Sequence, residues 1–148
     1  MYHALRPYKA KALFLRFDHI AIYFLIAGTY TPLALITIGG QLGWIIFGII
    51  WGIAIAGTLT KIFLMGTSAD KLSVGLYIAM GWIVIFFIKA IVKSLPLGGI
   101  VLLFSGGVLY TVGTIFFLFD KIRFSHAIWH LFVIAAAVCH FFCILLYV

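Results

Sequence analysis

Residues 125–148 read SHAIWHLFVIAAAVCHFFCILLYV. The stretch has no Lys, Arg, Asp or Glu and is longer than the roughly 20 residues that carry an α-helix across about 30 Å of hydrocarbon. In hydrocarbon every backbone N–H and C=O must be satisfied within the segment, so a helix is the form such a run takes. Working back from it, apolar runs recur at about 18–38, 43–65, 73–92 and 97–119, with the last span at 126–147. Turn-forming stretches separate them: IGGQLG at 38–43, MGTSADKL at 65–72, KSLPLGG at 93–99 and FDKIRFS at 119–125. The expected architecture is a single all-α domain over 1–148, a polytopic transmembrane helix bundle with five spans.

Composition agrees. The chain is 66% hydrophobic and only 9% charged, against about 25% charged in an ordinary soluble domain. Its mean hydropathy is +1.30. A net charge of +7 raises the question of nucleic acid, but the basic residues fall between apolar runs rather than on one soluble face, so no nucleic-acid partner is expected. Residues 1–17, MYHALRPYKAKALFLRF, have neither the apolar core nor the cleavage site of a signal peptide and read as a basic juxtamembrane segment.

The basic residues also orient the spans. Arg6, Lys9, Lys11, Arg16, Lys61, Lys71, Lys121 and Arg123 collect on one side, whereas only Lys89 and Lys93 lie on the other. The positive-inside rule then predicts a multi-pass cell-membrane protein with its N-terminus in the cytoplasm and its C-terminus outside. The three acids, Asp18, Asp70 and Asp120, fall on the inner side, and there is no glutamate.

Orientation gives the polar residues a depth. His126 and His130 open the last span, four residues apart and therefore on one helix face, a spacing that lets two ring nitrogens meet one metal ion. Asp18 opens the first span at the same level, and His3 lies on that side. Three imidazoles and a carboxylate can therefore meet near the inner surface, and catalytic zinc typically takes three protein ligands and keeps one position open. An i, i+4 histidine pair is a weak signal by itself, and HAIWH lacks the glutamate of the zincin motif.

Other residues have plainer readings. His140 lies ten residues, about 15 Å, beyond His130 and cannot share its site; it is expected to hydrogen-bond a neighbouring helix rather than form a second metal centre with Cys139 and Cys143. His19 points about 100° from Asp18 and reads as interfacial. Asp120, in FDKIRF, reads as a solvated loop charge. Gly48 and Gly52, with Ala56, form a small-xxx-small pattern expected to pack helices closely. Pro32 in GTYTP is expected to kink the first span, and its freed carbonyl with Thr29, Tyr30 and Thr31 either lines a cavity or marks a kink alone. Trp44, Trp82 and Trp129 read as interfacial anchors.

DHIAIYFLIAGTYTPLAL (18–35) and the 125–148 stretch resemble the first and last signature segments of the hemolysin III family, the bacterial branch of the progestin and adipoQ receptor group, distantly similar to alkaline ceramidases. The resemblance runs from about His3 to Val148 and implies the last five helices of a seven-helix bundle with zinc near the cytoplasmic face. It implies His3, the end of an SxxxH motif, and His126 and His130, of HxxxH, as zinc ligands, and it places the family's aspartate on Asp18. The serine of SxxxH would precede Met1, so a start placed too late is expected; DNA encoding SxxxH and a further span in frame upstream would show it. The leading function is zinc-assisted hydrolysis of a membrane lipid amide or ester, with Asp18 as the base. The alternatives are a receptor-like or regulatory protein with structural zinc and a cytolytic pore, the latter disfavoured because no span repeats a polar face.

Overall fold

The computed structural model describes the backbone of residues 2–64, 67–119, 121 and 123–148, and the side chains of 12–64, 72–119, 121 and 123–148. Among the described residues all regular structure is helical. Helix α1 spans Tyr2–Pro32 and continues as a π-helical segment, Leu33–Ile38. Helix α2 covers Gly40–Phe63, α3 covers Thr67–Trp82, and a 3₁₀ segment, Ile83–Phe87, leads into α4, Ile88–Ser94. Helices α5, Leu97–Leu118, and α6, Ser125–Tyr147, form the last hairpin. Among the described residues, five stretches are long and apolar enough to cross a membrane: Ala12–Ile38, Gly40–Phe63, Leu72–Ser94, Leu97–Leu118 and Ser125–Tyr147. Their large apolar side chains on the outer faces, Phe86 and Leu131 among them, are exposed as lipid contact requires. This is a multi-pass membrane protein.

Two spans are irregular, each for a local reason. Proline lacks an N–H, so the first span cannot hold its α pattern at Pro32 and widens into the π segment. Thr29 and Thr31 donate their hydroxyls back to the Leu25 and Ala27 carbonyls in the turn before it. Gly39 and Gly40, both at positive φ, then turn the chain into α2, a conformation open to glycine at little cost. The third span breaks between Trp82 (φ −96°, ψ 2°) and Phe87 (φ −113°, ψ 17°) without a proline. Tyr30 repairs that break from α1: its hydroxyl donates to the Gly81 carbonyl at 2.9 Å and accepts from the Val84 N–H at 3.2 Å. Backbone groups freed within a membrane need such a partner.

Packing between spans rests on small residues, but not at the positions expected from sequence. Gly48 and Gly52 have nothing within 4 Å of where a Cβ would stand, and Ala56 is exposed. The face of α2 that turns inward is Gly43, Ile46, Ile50, Ala54, Gly57 and Lys61 instead. A Cβ at Gly57 would collide with the Tyr23 ring, and one at Gly43 with the Ala34 backbone. Along the last hairpin, Gly99, Gly106 and Gly113 of α5 and Trp129, Ala136 and Cys143 of α6 are buried at seven-residue intervals. At Gly106 the His140 ring fills the space a side chain would need, and Cys143 Sγ donates to the Gly99 carbonyl. Interfaces of this kind let backbones approach closely where lipid gives no hydrophobic drive between helices.

The core gathers on α1. Ile22, Tyr23, Ile26, Ala27, Tyr30, Leu33 and Ala34 are buried against α2, α3 and α6. Successive spans alternate in direction, so the start of the first span and the start of α6 lie at the same end of the bundle.

Candidate metal centre

At that end α1 presents Asp18 and the first turns of α6 present His126 and His130. The two imidazole Nε2 atoms are 3.0 Å apart, and Asp18 Oδ2 lies 3.6 Å from the first and 3.7 Å from the second. One donor atom from each residue falls within 4.8 Å of the others. The i, i+4 spacing on a regular helix brings the two rings together, and the crossing of α1 over α6 brings the carboxylate. Donors on one tetrahedral zinc lie roughly 3.3 Å apart, because Zn–N and Zn–O bonds are about 2.0–2.2 Å. The three atoms therefore fit a shared cation with movements of a few tenths of an ångström. Asp18 Oδ2 is buried and has no hydrogen-bond partner among the described residues. A carboxylate oxygen in that condition is stabilised by a cation.

Aromatic rings hold the imidazoles in place. Trp129 packs tilted against both rings, 5.1 Å from His126 and 4.6 Å from His130, and Phe117 of α5 lies 4.9 Å from Trp129 and 6.3 Å from His126. Trp129 is 5% exposed, so it is a wall of the site and not an interfacial anchor. Trp82 is half-buried, its indole N–H donating to Thr111 Oγ1 at 2.9 Å, whereas Trp44 is exposed near a span end. His19 is 3% exposed, with its ring edge on Phe117 at 5.5 Å, and this buried position corrects its interfacial reading. It turns away from Asp18 as the helical angle requires. The side chains of His3, Asp70 and Asp120 lie outside the described residues.

Beyond Trp129 a cleft runs between α1, α3, α5 and α6. Ile22, Ile26, Tyr30 and Leu33 line it on the α1 face that begins at Asp18, and Trp129, Val133 and His140 line it on the α6 face that begins at His126. The end that carries Asp18, His126 and His130 and the cleft thus share two helix faces. Thr29 and Tyr30 border this cleft as the sequence suggested, while Thr31 turns aside to accept from Trp51 Nε1–H at 3.1 Å. His140 bonds the neighbouring helix, its Nε2 lying 3.1 Å from the Leu103 carbonyl. It joins no metal-ligating group with Cys139 or Cys143 among the described residues.

The profile of the Haemolysin-III related family matches residues 1–141. The chain belongs to this family. It is 50% identical over 146 residues to Hemolysin-3 of Bacillus cereus, covering 99% of this chain and 66% of that protein. It is 45% identical over 145 residues to the Hemolysin-3 homolog of Bacillus subtilis (strain 168), covering 98% and 68%. More distantly, the haemolysin-III chain is 34% identical over 128 residues to the human Monocyte to macrophage differentiation factor, covering 86% of the chain and 52% of that protein. It therefore spans about two thirds of the length of these bacterial relatives and about half of the human one. No solved structure is significantly similar to it. Both quoted signature segments begin within the matched residues.

Proposed function

We propose that this haemolysin-III-family protein is a zinc-dependent hydrolase of membrane lipid amides or esters. The observation that carries the reading is the buried Asp18 Oδ2, without a hydrogen bond among the described residues, facing two imidazole nitrogens at 3.6 and 3.7 Å, on helix faces that continue into an apolar cleft. His126 and His130 would hold the ion, with His3 as the third imidazole that the family resemblance adds. Zinc supplies a Lewis acid that polarises a carbonyl and acidifies water. Asp18 takes the proton of the attacking water and returns it to the leaving amine or alcohol. Phe117 and Trp129 fix the ring orientations and screen one side from lipid. His126 and His130 are about half exposed, which gives water access from the other side. The cleft beyond Trp129 receives the hydrocarbon of the substrate.

The purified protein should contain about one zinc per chain and should release acyl chains from a panel of lipid amides and esters, with activity lost on chelation and restored by zinc. A zinc-loaded protein that cleaves nothing on that panel overturns the hydrolase and leaves the zinc as a structural element.

The site is proposed to face the cytoplasm, on the bias of eight basic residues against two. A reporter enzyme fused after Val148 should then be active only outside the cytoplasm, and one inserted near Asp70 only inside. Cytoplasmic activity of the C-terminal fusion would reverse the orientation.

A further inference from the structure

The cleft is furnished at its far end as well. His140 lies ten residues beyond His130 on α6, about 15 Å deeper along the helix, and Tyr110 of α5 lies against it, with ring centroids 5.5 Å apart. Most polar side chains on the cleft wall are already engaged. Thr29, Thr111 and Thr114 donate back to their own helices, Tyr30 holds the broken third span, Tyr77 donates to the His19 carbonyl and Trp82 donates to Thr111. Tyr110 Oη and His140 Nδ1 differ: both atoms are buried and neither has a hydrogen-bond partner among the described residues. The engagement of His140 Nε2 fixes what the other nitrogen offers. A carbonyl only accepts, so Nε2 carries the hydrogen given to Leu103, and Nδ1 of the neutral ring is a bare acceptor. The hydroxyl of Tyr110, whose ring packs on this histidine, is a donor that can also accept.

One chemical group carries both the hydrogen that Nδ1 lacks and the lone pair that the tyrosine can use. A hydroxyl donates its hydrogen to Nδ1 and accepts from the tyrosine, whereas a ketone or ester oxygen serves the tyrosine alone. Water has the same chemistry, but the shape of the cleft favours a larger occupant. Its volume is about 70 Å³, against the roughly 10–15 Å³ that one water needs. The remaining wall, with Ile26, Leu33, Leu103, Phe104 and Val133, is apolar and offers a water nothing. We propose that Tyr110 and His140 form a recognition site for the hydroxyl group of a membrane amphiphile whose hydrocarbon fills the cleft. The site is separate from the metal-ligating cluster and operates whether or not that cluster hydrolyses anything.

The test is photo-crosslinking of the purified protein with a diazirine-bearing long-chain alcohol, mapped by mass spectrometry and competed by dodecanol or by dodecane. Labelling is expected on α5 and α6 around Phe104 and Val133. Dodecanol should displace the probe at about a tenth of the concentration at which dodecane does, the difference expected when a buried donor and acceptor are left unpaired. Tyr110→Phe removes one oxygen and keeps the ring. It should bring the two competitors to equal potency while dodecane competes as in the parent, which also shows that the cleft is intact. His140→Leu should do the same. Equal competition in the parent protein would mean that the pair holds only water and would overturn the proposal. So would an alcohol preference that survives Tyr110→Phe, or labelling confined to other helices.

Discussion

Replacing His126 by alanine is expected to reduce the zinc content of the purified protein from about one ion per chain to near none, with His130→Ala behaving alike. Each substitution removes one of two nitrogens that converge to 3.0 Å, and the remaining donors cannot enclose the ion. Even changes to groups behind metal ligands cost about 10–100-fold in affinity, so deleting a ligand itself should cost more. His3→Ala carries the same expectation from the family resemblance. His140→Ala is the control: its Nε2 is committed to the Leu103 carbonyl, at the far end of the cleft, and its loss should leave zinc unchanged. Elemental analysis of the four variants after dialysis decides the matter. Full zinc retention in His126→Ala would remove the proposed centre whatever the protein does, because Asp18 and His130 would then face one another without need of an ion.

Much of this arrangement is readable from the sequence, and the parts that are not share a physical cause. Span number follows from run length, and the meeting of Asp18 with His126 and His130 follows from their position at the start of alternate spans and from the i, i+4 geometry. The hydrogen bond of His140 to a neighbouring helix also follows, because an imidazole in hydrocarbon needs a partner. Which face of a helix turns inward is harder. Helix α2 is apolar all round, and lipid is no less apolar than the core, so periodicity points nowhere and a GIIWG pattern looks like an interface when it faces outward. The signal that could have settled it is Lys61: a lysine in a span belongs inside, and stepping back from it by three and four residues gives Gly57, Ala54, Ile50, Ile46 and Gly43. Trp129 is a similar case. Its distance from the span end suggests anchoring, but three residues after His126 it shares the histidine face and is drawn into the wall. The break in the third span has no proline to announce it. Tyr30, fifty-one residues from Gly81 in sequence, makes it tolerable, and nothing local to either segment records that pairing.

Asp18→Asn should keep the fold and the zinc while reducing lipid hydrolysis about 10²–10⁴-fold, the range over which a general acid–base group contributes. The amide matches the carboxylate in shape and keeps an oxygen that can face His126 and His130, so the rings need not move. What it loses is basicity: an amide oxygen does not take a proton from water near neutral pH, and the attacking water is no longer activated. Asp120→Asn, in the FDKIRF loop, should leave turnover unchanged and separates this effect from a general loss of negative charge at that end of the bundle. Zinc content and turnover must be read on the same preparation, because they can part company in an informative way. If zinc stays and turnover falls, Asp18 acts on the proton. If zinc falls with it, Oδ2 at 3.6 and 3.7 Å from the imidazoles belongs to the donor set, and the base is another group. If both survive, the orphaned oxygen has a structural role, and the hydrolase loses the residue on which its mechanism depends.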